Sequence, residues 1–211
     1  MARVLIVAKT RMGDYYSCVG GLNLETNQSI RLLRLDGSNQ PNNTRFEAGQ
    51  VWELAFQPLS GITPPHVEDV HVTRETYIGP VSNLRNVLMQ RVHTWRGEPD
   101  QLFEGKLIFE RTGYISKTGS LPGCSTGYWL PNYPLSLSLN FREGQPYYQI
   151  ITQPREIFPA VRKLFIKYVG FADPLGLIPE GALVRVSLAR WWQRPGTDEE
   201  RCYLQLSGWY L

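Results

Sequence analysis

The sequence predicts a mainly β protein, and three observations carry that prediction. Aromatic residues make up 12% of the 211 residues, and strands are enriched in aromatic side chains. The 19 glycines and 15 prolines punctuate the chain between short apolar runs, as turn residues do between strands. Several of those runs alternate apolar and polar residues with the period of two that is typical of a half-buried strand.

Three strands are expected near the start of the chain. Ala2–Ala8 is nearly continuous in apolar residues, which indicates a central strand. Tyr16–Leu24 contains Gly20-Gly21, and a glycine pair inside a strand predicts a bulge or a sharp bend of the kind that closes a small barrel. In the third strand, Ser29–Leu35, Arg31 and Arg34 are expected to point in opposite directions.

One clear helix is expected in the middle of the chain, at about 80–92. Pro80 suits a first helical turn, Ser82 or Asn83 could cap it, and Leu84, Val87 and Leu88 recur at helical spacing. The break that follows predicts a first domain over 1–95 and a second over 96–211. A second short helix or a strand is expected at 102–110, where periodicity does not decide.

The second half predicts further strands and ends in a hairpin. Strands are expected at 51–56 in the first half, and at 135–141, 147–152 and 164–170 in the second. Leu183–Leu211 alternates on both sides of Pro195-Gly196, which predicts two antiparallel strands joined by a turn. The hairpin near the start echoes this one, with Lys9 aligned on Arg190 and Cys18 on Cys202. Either the chain holds two copies of a small β unit, or two unrelated hairpins look alike.

The charge of the chain is modest overall but uneven. The net charge is +3, yet residues 1–35 carry five basic and two acidic side chains, and residues 36–80 carry two basic and six acidic. Local basic excess together with planar rings suits a nucleic acid, because cations hold phosphates and rings stack bases. The candidate binding set is Lys9, Arg11, Arg31, Arg34, Arg185, Arg190, Trp191, Trp192 and Arg194. In the alternative reading, one tryptophan fills the core and the arginines are solvated.

The three cysteines form no paired motif, which is typical of free thiols in a reducing compartment. There is no signal-peptide pattern and no apolar run long enough to span a bilayer, so a cytoplasmic location is expected.

Motifs for catalysis and metal binding are weak. Gly123–Gly127 matches G-x-S-x-G, but neither a strand before it nor a helix after it is expected, so an esterase is disfavoured. His66, Glu68, Asp69 and His71 are metal-ligand types, yet on a strand they would point to two faces and not converge. We therefore expect no metal, no cofactor and no enzymatic activity.

Several segments resemble one protein family. The opening VLIVAKTR…SCVGGLNLETNQSIRLLRL, the middle AGQVWEL…PPHVEDVHV and the ending LVRVSLARWW…RCYLQLSGWYL are similar to bacterial dual-OB-domain proteins. The resemblance implies two small OB-like β-barrels with one or two short helices, and single-strand binding on one face and its edge loops.

The leading functional hypothesis is a non-enzymatic module that binds single-stranded DNA or RNA in a basic, aromatic groove. The alternative is a protein-interaction or scaffold subunit of a larger bacterial assembly. A metal-dependent enzyme acting on nucleotides through His66, Glu68 and Asp69 ranks last.

Overall fold

The computed structural model describes residues 1–140, 144–152, 162–193 and 195–211. The chain divides into two compact units, Met1–His93 and Thr94–Leu211. Strands dominate both units, which confirms the mainly β class. Within the described residues, no helix has the length and apolar character needed to cross a membrane.

The first unit is a closed five-stranded barrel with one short extra strand. Its strands are β1 (Ala2–Met12), β2 (Tyr16–Asn23), β3 (Ser29–Leu33), β4 (Gln40–Pro41), β5 (Gln50–Pro58) and β6 (Asp69–Pro80). The hydrogen-bonded order β1-β5-β6-β3-β2 closes because β2 also pairs with β1. The pairs are antiparallel except β3 with β6, which is parallel. This ring of five strands is the order of an OB barrel.

β1 pairs with both β2 and β5, and it has a bulge opposite the glycine pair. The start of β1 pairs with β5, and its register against β2 shifts between Ile6 and Ala8, opposite Gly21 and Gly20. A Cβ atom on Gly21 would lie 2.6 Å from Val4 Cγ1, so this inward position accepts only glycine without movement. The structure thus has a bulge at the predicted place, with the extra residue, Val7, on β1. The barrel interior is filled by Val4, Ile6, Val19, Ile30, Leu32, Phe46, Trp52, Leu54 and Val70.

The helix is shorter than predicted. It spans Leu84–Met89, not 80–92, and Pro80 ends strand β6. The Asn83 side chain accepts a hydrogen bond from the Asn86 amide, which confirms Asn83 as the cap. Pairing of Pro80 with Gln50 extends β6 into the segment where a first helical turn was expected.

In its described residues, the second unit has eleven strands and a kinked 3₁₀ segment, Pro99–Gly105. The strands are β7 (Thr94–Arg96), β8 (Ile108–Phe109), β9 (Gly113–Ser116), β10 (Thr126–Leu130), β11 (Leu135–Asn140), β12 (Gln145–Thr152), β13 (Arg162–Tyr168), β14 (Leu177–Ile178), β15 (Leu183–Leu188), β16 (Trp192–Gln193) and β17 (Glu200–Tyr210). The segment 102–110 is thus divided between 3₁₀ helix and a two-residue strand. The closing hairpin is confirmed, since β15 and β17 pair antiparallel.

The second unit repeats the strand order of the first. β10 pairs with β15 and β11 with β12, so together they occupy the position of β1, interrupted at residues 131–134. β12 pairs with β13, and β13 runs parallel to β17, as β3 does to β6. Both units therefore have the five-strand OB order. The core of the second unit includes Trp129, Tyr148, Ile166, Val186 and Leu204.

This topology corrects the alignment of the two hairpins. The hairpin β15–β17 corresponds to β5–β6, the fourth and fifth barrel strands, whereas β1–β2 is the first and second. Lys9 and Arg190, and likewise Cys18 and Cys202, are therefore not equivalent positions. Local alternation is the same in any half-buried hairpin, so it does not distinguish the two.

Candidate nucleic-acid interface

Two cations of the candidate set in the first unit are held by internal acids. Lys9 Nζ lies 2.6 Å from Glu47 Oε1 and 3.3 Å from the Thr44 carbonyl oxygen, and its side chain is 8% exposed. Arg31 forms an ion pair with Asp69. Both cations therefore form contacts within the first barrel.

The other two cations of the first unit are at the surface. Arg11 and Arg34 are exposed, and Arg34 lies 3.6 Å from Asp36. Arg34 borders an open groove of about 510 Å³, whose lining also contains Leu35, Asp36, Gln40, Val72 and Glu75. The groove carries charges of both signs and does not bring the four predicted cations of this unit together.

In the second unit, Arg185 is a buried residue of β15 at 6% exposure. Its charge acts on the buried hydroxyl groups of Tyr128 and Tyr210. Burial raises the pKa of both tyrosines, and Arg185 partly opposes that rise. Arg185 thus lies in the interior and not on a binding surface.

The loop between β15 and β17 holds the remaining predicted residues. Trp191 packs against the core, with Lys117 Nζ 6.0 Å from its ring centroid. Trp192 is 50% exposed, and Arg190 is exposed. One tryptophan therefore points inward and its neighbour outward, as strand alternation predicts. Arg194 lies outside the described residues.

Trp192 begins a row of three neighbouring rings, of which Trp192 is 50% exposed, Tyr203 is half-buried and Tyr114 is buried at 5% exposure. Its ring centroid lies 6.0 Å from that of Tyr203, which lies 5.9 Å from that of Tyr114. Tyr203 and Tyr114 are directly opposite each other on β17 and β9. Neighbouring Cys202 and Ile115 point into the core, so the rings face outward. We call Trp192, Tyr203 and Tyr114 the aromatic row.

Arg201 fixes the aromatic row in place. Its guanidinium carbon lies 3.9 Å from the centroid of the Tyr114 ring, and it forms ion pairs with Glu199 at 2.7 Å and Glu110 at 3.1 Å. Hydrogen bonds from Ser116 and then from Arg201 lower the pKa of Glu199. Because Arg201 is engaged on three sides, it positions the rings and is not a spare cation.

The outer face of β12 and β13 supplies cations and further rings. Tyr148, Ile150, Leu164 and Ile166 point into the core, so the residues between them point outward. The outward positions pair as Tyr147 with Lys167, Gln149 with Phe165 and Ile151 with Lys163. We call these six residues the β12–β13 face.

Arg111 joins the β12–β13 face to the segment that leads into β9. The Phe165 amide donates to the Arg111 carbonyl oxygen at 2.9 Å, and the Arg111 guanidinium carbon lies 5.8 Å from the Phe165 ring centroid. Among the described residues, no carboxylate pairs with Lys163, Lys167 or Arg111. Within the described residues, the face therefore combines cations that have no carboxylate partner with the half-buried rings of Tyr147 and Phe165.

Sequence reasoning missed most of this surface. It identified Trp192 but not Tyr114, Tyr147, Phe165, Lys163 or Lys167. The usable signal was alternation: Lys163, Phe165 and Lys167 alternate with Leu164 and Ile166 along the chain. That pattern marks an outer face but does not show which strands are adjacent.

The metal-ligand types do not assemble a metal site. His66, Glu68 and Asp69 are buried, at 4%, 7% and 2% exposure. In the part of the chain that the structure describes, no three His, Cys, Asp or Glu side chains cluster closely enough to hold a metal ion.

The arrangement in the second unit is suited to a flexible polyanion with flat bases. Lysines and arginines of a groove contact the phosphates of a single strand, and exposed rings stack its bases for about 1–3 kcal/mol each. The aromatic row, with Trp192 at its exposed end, and the β12–β13 face both belong to the second unit.

Comparison with known proteins gives the following matches. The model of a family described as a dual OB-containing domain matches residues 2–209. No curated protein matches the chain. A solved structure described as a murine DNA binding protein bound with ds DNA matches at 9% identity and a TM-score of 0.30, covering 97% of each chain. A TM-score of that size carries no argument about fold or ligand.

Proposed function

The chain belongs to the dual OB-containing domain family, and from that premise we propose that it binds single-stranded nucleic acid through its second barrel. The observation that carries the proposal is the β12–β13 face, where Tyr147 and Phe165 lie beside Lys163 and Lys167. OB barrels bind oligonucleotides on the face of their second and third strands and in adjoining loops. β12 and β13 are those strands here, and Trp192 lies in the loop between β15 and β17.

Single strands suit this surface better than a duplex. Rings that lie on an open sheet face stack only on bases whose own faces are accessible, and paired bases inside a duplex are not. Trp192, at 50% exposure, and the half-buried Tyr147, Phe165 and Tyr203 offer such ring surface. The rings read no base edge, so weak sequence preference is expected.

A salt titration tests the proposal. Fluorescence anisotropy is measured with labelled single-stranded DNA, single-stranded RNA and duplex DNA of mixed sequence. Three phosphate contacts, from Lys163, Lys167 and Arg111, predict a logarithmic salt slope of about −2, so affinity falls about 20-fold from 50 to 200 mM salt. Absent binding, salt-independent binding or a preference for the duplex would contradict the proposal.

Two variants with matched chemistry localise the site. Arg111→Gln should weaken single-strand binding and reduce the salt slope by about 0.7. Arg96→Gln removes an equally exposed arginine of the same unit from β7, which is separated from β13 by β17, β15 and β10. Arg96→Gln should leave both affinity and slope unchanged. Equal effects of the two variants would mean that overall charge, and not this face, governs binding.

A protein partner is the second candidate, favoured by apolar side chains on the same unit. Leu139, Ile151 and Leu177 are 53%, 49% and 53% exposed. Leu177 pairs with Ser136, on the outward side of the sheet, since the next pair, Leu135 with Ile178, is buried. Substituting Leu177 with Ser should abolish capture of such a partner and leave single-strand affinity intact.

A further inference from the structure

The two barrels carry different residues at one equivalent set of positions. In the second barrel, Tyr147 of β12 is opposite Lys167 of β13, and Lys167 is opposite Gln205 of β17. In the first barrel, Gly20 of β2 is opposite Arg31 of β3, and Arg31 is opposite Asp69 of β6. β2, β3 and β6 occupy the places of β12, β13 and β17, so each set lies where the third barrel strand pairs with its parallel neighbour.

All six positions point away from their barrel interiors. Ile30 and Leu32 flank Arg31 and fill the first core. Ile166 and Tyr168 flank Lys167, and Leu204 and Leu206 flank Gln205, in the second core. The middle residue is a cation in both barrels, so the difference lies in its two neighbours.

In the first barrel the cation is neutralised by its neighbour. The side chains of Arg31 and Asp69 are 11% and 2% exposed and form an ion pair. Burial opposes the charge on Arg31, but the nearby Cys18 and the hydrogen bond to Asp69 outweigh burial and raise its pKa. In a buried ion pair, each charge is compensated by its partner. Separating the two side chains would leave an uncompensated buried charge. Gly20, opposite Arg31 on the other side, has no side chain and therefore offers no ring for stacking.

In the second barrel both neighbours leave the cation available. Gln205 carries no charge, and the described residues offer Lys167 no carboxylate. Tyr147 lies directly opposite Lys167 on the outward side of the sheet, so a ring and a cation occupy paired positions.

We infer that Gln205 determines that the second barrel, and not the first, presents the polyanion site. The inference rests on the proposed function, since it assigns which barrel carries that function and why. A neutral residue opposite the cation of the third barrel strand leaves that cation for phosphate. A carboxylate at the same place, as in the first barrel, removes it from the site.

The decisive variant is Gln205→Glu, which gives the second barrel the charge pattern of the first. Affinity for a labelled single-stranded DNA should fall about tenfold at 50 mM salt. The salt slope should shrink by about 0.7, the amount expected for one lost phosphate contact on a single strand. Gln149→Glu is the matched control, since it adds the same charge to the same face opposite Phe165 and Ser136. It should lower both affinity and slope less than Gln205→Glu does, because no cation lies directly opposite position 149 and the added repulsion is screened by salt.

Two further variants keep the inference falsifiable if Gln205→Glu fails to fold. Lys167→Met should reduce the slope by the same amount, and adding Gln205→Glu to it should not reduce the slope again. Arg34→Ala, at an exposed cation of the first barrel, should change affinity less than twofold.

The outcomes distinguish failure of the proposed function from failure of the inference about Gln205. If the unaltered protein binds no single strand, the proposed function fails and this inference fails with it. If the unaltered protein binds and Gln205→Glu or Lys167→Met leaves the slope unchanged, the inference alone is overturned. A loss with Arg34→Ala as large as with Lys167→Met would also overturn it.

Discussion

At the scale of single residues, alternation along a strand separates inward from outward side chains. Cys202 points into the core and Arg201 and Tyr203 point out, so three consecutive residues have unrelated roles. Burial raises the pKa of Cys202 to about 12, so its thiol stays protonated at neutral pH. Cys18 and Cys124 are half-buried. Thiol reactivity requires the thiolate and access to it.

The three cysteines should therefore react at very different rates. Iodoacetamide at pH 8 is expected to modify Cys202 only when the protein unfolds, because the native thiol is both inaccessible and protonated. Peptide mapping by mass spectrometry after a time course, with and without denaturant, measures this. Modification of Cys202 in the native protein as fast as Cys18 would show that β17 is not packed as described.

At the scale of elements, the first strand of each barrel has to pair with two neighbouring strands, and the two barrels achieve this differently. β1 pairs with both neighbours and bends at a bulge beside Gly20-Gly21. In the second barrel the chain breaks at 131–134, and β10 and β11 each take one neighbour. β10 also receives β7 on its other edge, and Gly127 allows this approach: a Cβ there would lie 2.1 Å from a ring carbon of Trp95.

Gly127→Ala should destabilise the protein by about 1–3 kcal/mol, the usual cost of forcing an extra carbon into a packed contact. The Trp95 ring also packs on Phe103 at 5.0 Å, which limits its room to move. Denaturant unfolding followed by tryptophan fluorescence measures the change. Gly208→Ala is the control, since that strand glycine has no atom within 4 Å of the added carbon. Equal stability of the two variants would contradict the packing of β7 on β10.

At the scale of the whole molecule, the structure shows which of the unevenly distributed charges are paired with one another. Cations of the first unit such as Lys9 and Arg31 are paired with acids of the same unit. Acids are also engaged: the Lys106 ammonium and the Gly123 amide lower the pKa of Glu104, and the Ser38 hydroxyl and amide lower that of Asp36. Carboxylates of both units therefore contribute to the pH dependence of stability.

Stability should be greatest on a plateau between acid and alkaline limits. Glu104 and Glu199 have folded pKa values below their ordinary 4.5, so their contribution is complete above that pH and is lost as the pH falls below it. Cys202 has a folded pKa above its ordinary 9.0, so its contribution is lost as the pH rises above 9.0. Thermal unfolding from pH 3 to 10 measures both limits. Glu104→Gln should make the acid decline shallower, and an unchanged decline would contradict its role.

The sequence alone was enough to predict the β class, a bulge at Gly20-Gly21, a cap at Asn83 and the closing hairpin. All of these depend on local chemistry: side-chain alternation, glycine conformation and hydrogen bonding within a few residues. The start of the helix was mispredicted because β6 extends through Pro80, and that extension depends on pairing with distant β5.

Only the tertiary structure decided which residues share a surface. It paired Lys9 with Glu47 and Arg31 with Asp69, and it placed Arg185 inside the second unit. It also set Tyr147 beside Lys167 and Tyr114 beside Tyr203. These neighbours are far apart in the chain and meet through strand order and register, which alternation along one strand does not specify.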